Sequence, residues 1–99
     1  MKVGIVGLGY WGPNLIRNFL AHKDVNKVIG CDKDINRLNF IKSKFPSAYL
    51  TDDYNDLLNS DVDAIIIATP VFTHYNLAKR ALEAGKHIWI PVWIWLPII

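Results

Sequence analysis

The 99-residue chain has one cysteine, one methionine, no run of like charge and no apolar stretch long enough to span a bilayer. A single cysteine, Cys31, excludes an internal disulfide. Met1-Lys2 leads straight into an apolar strand pattern without the regions of a secretory signal, so a reducing cytoplasm is the expected location. Eleven Lys and Arg face nine Asp and Glu, and the net charge of +2 is spread without basic clusters or interleaved aromatics. Nucleic acid is therefore not an expected partner. His22 reads as a helix-end residue and His87 as a strand-start residue, and neither has metal-ligand spacing, so no metal is expected. Repeats, low-complexity segments and linkers are also missing, and 99 residues suit one small domain. With 52% hydrophobic and 20% charged residues, the chain is apolar enough to build a core.

Apolar runs alternate with amphipathic segments along the chain. This pattern predicts an α/β fold, a doubly wound parallel sheet in a single three-layer αβα domain, the Rossmann arrangement. Strands are predicted at Lys2 to Val6, Lys27 to Asp32, Ala48 to Leu50, Ala64 to Ala68 and His87 to Ile90. The three consecutive isoleucines of the fourth require burial on both faces. The first helix opens at Pro13, carries Leu15, Ile16, Phe19 and Leu20 on one stripe, and ends near His22. Asp34 caps a second helix with Ile35, Leu38, Ile41 and Phe45 facing inward, ending at Pro46. A short third helix starts at about Asp53 with Tyr54, Leu57 and Leu58 on one face. Thr73 is the candidate cap of the fourth, in which Leu77, Ala78, Ala81 and Leu82 line the core and Gly85 stops the chain.

Directly after the first strand comes Gly7-Leu8-Gly9-Tyr10-Trp11-Gly12. A lone G-x-G-x-x-G is weak evidence, but this one follows a strand, opens a helix and has Asp32 20 positions beyond Gly12. The first glycine permits the tight turn, the second leaves room for a pyrophosphate, and the third allows close helix packing. In such a sheet the first and fourth strands are neighbours where strand order reverses, so the glycine loop and Thr69 to His74 meet at the ligand crevice. Backbone N–H groups and a helix N-terminus suit the pyrophosphate, and the second loop lies beside the nicotinamide half. The position of Asp32 favours accepting both adenosine ribose hydroxyls over the role of a plain strand-end or N-cap aspartate. A carboxylate there repels a 2′-phosphate, so NAD is expected ahead of NADP, with Lys33 opposing that preference. Cys31 reads as a small buried side chain, not a reactive thiol.

Three stretches carry a resemblance. Gly4 to Gly12, Asp63-Ala64-Ile65-Ile66-Ile67-Ala68-Thr69-Pro70 followed by Thr73-His74, and Ala81 to His87 resemble the Gfo/Idh/MocA oxidoreductases over residues 1–90. The Tyr10-Trp11 pair is similar to the branch acting on nucleotide-linked sugars. The resemblance implies NAD(P)-dependent hydride transfer at a sugar or cyclitol carbon. By the same resemblance Gly7, Gly9, Tyr10, Trp11 and Gly12 hold the pyrophosphate and Asp32 the ribose, while Thr69, Pro70 and His74 line the nicotinamide side.

Where the family continues with Glu-Lys-Pro, whose lysine lies near the reacting carbon, this chain has Pro91, Val92 and Trp93. No catalytic residue is assigned on that account, and the uncharged segment 91–99 has the look of a truncated or frame-altered reading of a longer gene. The expectation is a nucleotide-binding module that catalyses nothing unaided; the alternatives are an oxidoreductase subunit whose substrate domain comes from another chain, or a self-associating fold without cofactor. Residues 88–99 carry no charge and two prolines, too short and broken to cross a membrane and without the basic face of a surface anchor. The expected use is an extra strand buried against the domain or against another copy of the chain, most simply as a homodimer, with non-specific stickiness the alternative.

Overall fold

The computed structural model describes residues 1–91, and the expected pairing segment beyond Pro91 lies outside the described residues. Five parallel strands, β1 (Lys2–Val6), β2 (Lys27–Cys31), β3 (Tyr49–Thr51), β4 (Ala64–Ile67) and β5 (His87–Trp89), form one sheet in the order β3-β2-β1-β4-β5. Helices α1 (Gly12–Ala21), α2 (Ile35–Lys44), α3 (Tyr54–Asn59) and α4 (His74–Glu83) cover it. The chain leaves β1 toward β2 and later returns to β1's other side through β4, with Val3 paired to both Val28 and Ala64. The reversal of strand order therefore falls between β1 and β4, as the sequence predicts.

The period of two in each strand sends alternate side chains to opposite faces and produces two cores. Val3, Ile5 and Ile66 face α1 and α2, where they meet Leu15, Ile16, Leu38 and Ile41. Val6, Ile65 and Ile67 face the other side and meet Tyr54, Leu57 and Ala81. Ile65, Ile66 and Ile67 are all buried to within 2%. Each contributes about 1.5–3 kcal/mol of burial to the centre of the sheet.

Several details differ from the sequence expectation for physical reasons. Ile35 is 61% exposed because it opens α2 at the carboxyl edge of the sheet, and the packed stripe begins one turn later at Leu38. Leu82 is also exposed, lying at the rim of a narrow stripe centred on Ala81 and His74. Thr73 occupies the N-cap position of α4 without its side chain capping. A 3₁₀ turn, Val71–Thr73, runs directly into the helix, and the Thr73 hydroxyl donates back to the Pro70 carbonyl at 2.6 Å instead. Asp34 and Asp53 do cap, accepting the N–H groups of Asn36 and Asn55. Gly85 ends α4 with φ 78°, a conformation that favours glycine.

Candidate functional site

The glycine loop leaves β1 through Gly7, whose φ of 98° is open to glycine and strained for other residues. A Cβ there would stand 2.8 Å from the Ala68 carbonyl carbon, so the fold itself demands the glycine. Gly9 is different. The nearest atoms to a Cβ at Gly9 belong to the Arg37 guanidinium at 3.4 Å, an ordinary contact at the end of a flexible side chain. No protein contact therefore demands glycine at position 9, and its backbone is left open toward the cavity. A Cβ at Gly12 would press on Leu8 Cβ at 3.2 Å and the Gly7 carbonyl at 3.3 Å, so this third glycine serves the compactness of the loop.

Helix α1 begins at this loop with Trp11 as N-cap, no side-chain cap and no acidic residue in its first turn. Its partial positive charge is thus left for an anion. Gly7, Gly9, Tyr10 and Trp11 line a cavity of about 740 Å³ that also takes in Asp32, Lys33, Thr69 and Pro70. Eight of the ten residues expected at the site come together here, and Gly12 and His74 do not reach the cavity wall. His74 is buried behind it, where its Nε2–H donates to the Thr69 carbonyl at 2.7 Å and fixes the turn after β4. Thr69 is held a second time through its hydroxyl, 2.6 Å from that of Thr73.

Asp32 does more than the sequence predicts. Its side chain is buried, one carboxylate oxygen accepting the Leu8 N–H and the other the Asp34 N–H, both at 2.8 Å. The residue therefore ties the glycine loop to the end of β2 while lining the cavity. Arg37 stands 3.4 Å from Asp32 and 3.8 Å from Asp34. Its side chain is about half exposed, and such pairing contributes little stability.

Sequence reasoning missed Arg37, Asp52, Tyr54 and Asn76, all of which line the cavity. Asp52 directly follows β3 and Arg37 lies in the first turn of α2, both at the carboxyl edge of the sheet where ligands bind, and that position was the available signal. Tyr54 is buried, and its hydroxyl donates to the Leu77 carbonyl at 2.8 Å, joining α3 to α4. Burial pushes the Tyr54 phenol up to about 12 despite the opposing charge of Arg80. Burial also pushes the Cys31 thiol up to about 12, helped by Asp32 and neighbouring aspartates. Both are neutral wall groups at physiological pH, as the sequence expects for Cys31. Among the described residues no cluster of His, Cys, Asp or Glu could hold a metal, and no helix is long and apolar enough to cross a membrane.

A glycine at position 9 that no protein contact demands, an uncapped helix N-terminus and a carboxylate lining the same cavity fit a dinucleotide. Comparison with known proteins agrees. Residues 1–90 match the sequence profile of the Gfo/Idh/MocA group, described as an oxidoreductase family with an NAD-binding Rossmann fold. A 1-carboxy-3-chloro-3,4-dihydroxycyclo hexa-1,5-diene dehydrogenase of Comamonas testosteroni is 37% identical over 89 residues, which are 89% of this chain and 22% of that protein. The crystal structure of apo scyllo-inositol dehydrogenase from Lactobacillus casei superposes with a TM-score of 0.81 at 27% identity, over 91% of this chain and 27% of that one. The same enzyme with bound NAD(H) and scyllo-inositol gives 0.78 at 26% identity, again over 91% of this chain and 27% of that one. The chain thus spans about a quarter of the length of these relatives. It belongs to the Gfo/Idh/MocA oxidoreductase family and corresponds to that family's NAD-binding Rossmann domain.

Proposed function

We propose that the chain binds NAD in the cavity above β1 and β4, and that as these 99 residues it does not itself turn over a substrate. Gly9 carries this reading, since a Cβ there is excluded by no protein atom and would occupy the space of a pyrophosphate. The pyrophosphate rests on the Gly7–Gly12 loop and the α1 N-terminus, the adenosine ribose against Asp32, and the nicotinamide beside Thr69 and Pro70. His74 acts from behind by holding the Thr69 carbonyl in place. When bound, the nicotinamide supplies hydride chemistry. A reaction also needs a substrate held in near-attack geometry, and the positions of the family's Glu-Lys-Pro are Pro91, Val92 and Trp93 here. In the longer relatives the matched region is about a quarter of the protein, which supports assigning the sugar or cyclitol chemistry to the remainder.

Asp32 favours NAD over NADP, while Lys33 and Arg37 moderate that preference. A cytoplasmic location and a homodimer through residues 88–99 belong to the same reading, supported by the lone Cys31 and by the uncharged segment. The test is calorimetric titration with NAD, NADH, NADP and NADPH. For these 99 residues alone, affinity nearer millimolar than micromolar is expected, roughly −4 to −6 kcal/mol. Absence of any NAD(H) binding at millimolar concentration overturns the proposal.

A further inference from the structure

The tips of β2 and β3 bring two aspartates side by side. Cys31 pairs with Thr51 in the parallel register, and the Asp32 N–H donates to the Thr51 carbonyl at 3.2 Å. Asp52 therefore follows β3 at the level where Asp32 follows β2. The acidic side chains around it are occupied. Asp32 accepts two backbone N–H groups, Asp34 and Asp53 cap helices, and Asp56 accepts the Thr51 hydroxyl at 2.6 Å. Asp52 has no hydrogen bond or ion pair among the described residues, yet it lines the same cavity as Asp32 and Gly9.

Resting on the dinucleotide reading above, we propose that the Asp52 carboxylate accepts the 6-amino group of the cofactor's adenine and makes the site selective for a 6-aminopurine. The strand order supplies the reason. A dinucleotide whose pyrophosphate lies over β1 and whose ribose meets Asp32 at β2 continues outward to β3, one strand spacing or about 4.8 Å further on. The group beyond the ribose is the base. Adenine's one exocyclic donor is its 6-amino group, and an ionised carboxylate is acceptor-only. Charge assistance makes such a hydrogen bond stronger than a neutral one, so its loss is readable as a change in base preference.

The experiment compares binding of NAD and nicotinamide hypoxanthine dinucleotide, in which a carbonyl oxygen replaces the 6-amino group, by NMR-monitored titration of the 99-residue chain. The unaltered chain is expected to prefer NAD by about tenfold. Asp52→Ala should bring the ratio close to one with NAD binding still measurable. Asp52→Asn, which offers an amide donor to the carbonyl, should bring it to one or below. Because Asp52 is exposed and unpaired, both variants should keep the amide spectrum of the unaltered fold. An unaltered chain that binds NAD without preference, or an Asp52→Ala variant that keeps the tenfold ratio, overturns this assignment and leaves the cofactor reading standing. Failure of the unaltered chain to bind NAD at all overturns both.

Discussion

The Asp32 carboxylate accepts the Leu8 N–H at 2.8 Å across 24 residues of sequence. One side chain thus anchors the glycine loop from the neighbouring strand, and the loop's geometry depends on the same residue that lines the cavity. Two effects should separate on mutation. Asp32→Ala leaves buried N–H groups unpaired and should lower stability by about 1–3 kcal/mol in urea unfolding. It should also narrow the preference for NAD over NADP, expected at about tenfold in the unaltered chain. Equal affinities before mutation would show that Lys33 and Arg37 already cancel the carboxylate.

The two glycines of the loop should fail in different ways. Gly7→Val places a side chain at φ 98° against the Ala68 backbone, and overpacking with strain should cost on the order of 2–4 kcal/mol. At Gly9 an added Cβ has the end of the flexible Arg37 side chain as its nearest neighbour, so Gly9→Val should keep its melting temperature within a few degrees while losing dinucleotide binding. Thermal melts beside titrations distinguish the two, and a Gly9→Val chain that still binds NAD would displace the pyrophosphate from this loop.

Alkaline pH should weaken the fold. Cys31 and Tyr54 are each pushed up to about 12 by burial, above ordinary values of about 8.5 and 10. The unfolded chain therefore releases these protons first. Their contribution to stability is complete below about pH 8.5 and declines as pH rises toward 12. Urea midpoints at pH 7 and pH 10.5 should differ, and the difference should shrink in the Cys31→Ala, Tyr54→Phe double variant. Native Cys31 should also react far more slowly with iodoacetamide at pH 8 than in denaturant.

Self-association is testable from the composition of residues 88–99, twelve uncharged residues with three tryptophans. Covering about 400 Å² of such surface offers about 10 kcal/mol before entropy losses. Sedimentation should show a dimer that Trp93→Asp with Trp95→Asp converts to monomer or to insoluble protein. A soluble monomer of the unaltered chain at high concentration would mean that no second copy is needed to cover the segment.

Much of the fold was legible because its signals are local. Glycine at 7, 9 and 12, the apolar runs of β1 and β4, and the caps Asp34 and Asp53 act through backbone conformation and periodicity within a few residues. The adjacency of β1 and β4 followed from the way such a sheet is wound. Where expectation and structure part, the cause is a neighbour distant in sequence or the end of an element. Ile35 fits the apolar stripe of α2 and finds no strand beneath it, and Thr73 has the chemistry of a cap but spends its hydroxyl on Pro70. His74 could have been placed in the core from its spacing to Leu77, Ala78 and Ala81, which puts it on the inward face of α4.

The sequence by itself determined that this is a βα-alternating chain with a dinucleotide loop at its first turn, because glycine conformations and hydrophobic periods are properties of short segments. Only the tertiary structure decided which groups share the cavity. It gave Asp32 a second duty at Leu8, drew Arg37 over Gly9, withdrew His74 behind Thr69, and left Asp52 open beside the expected ribose position. Those assignments depend on β2 and β3 ending level with each other and on helices crossing particular strands. Such distances are set by packing of the two cores, and no spacing along the chain encodes them.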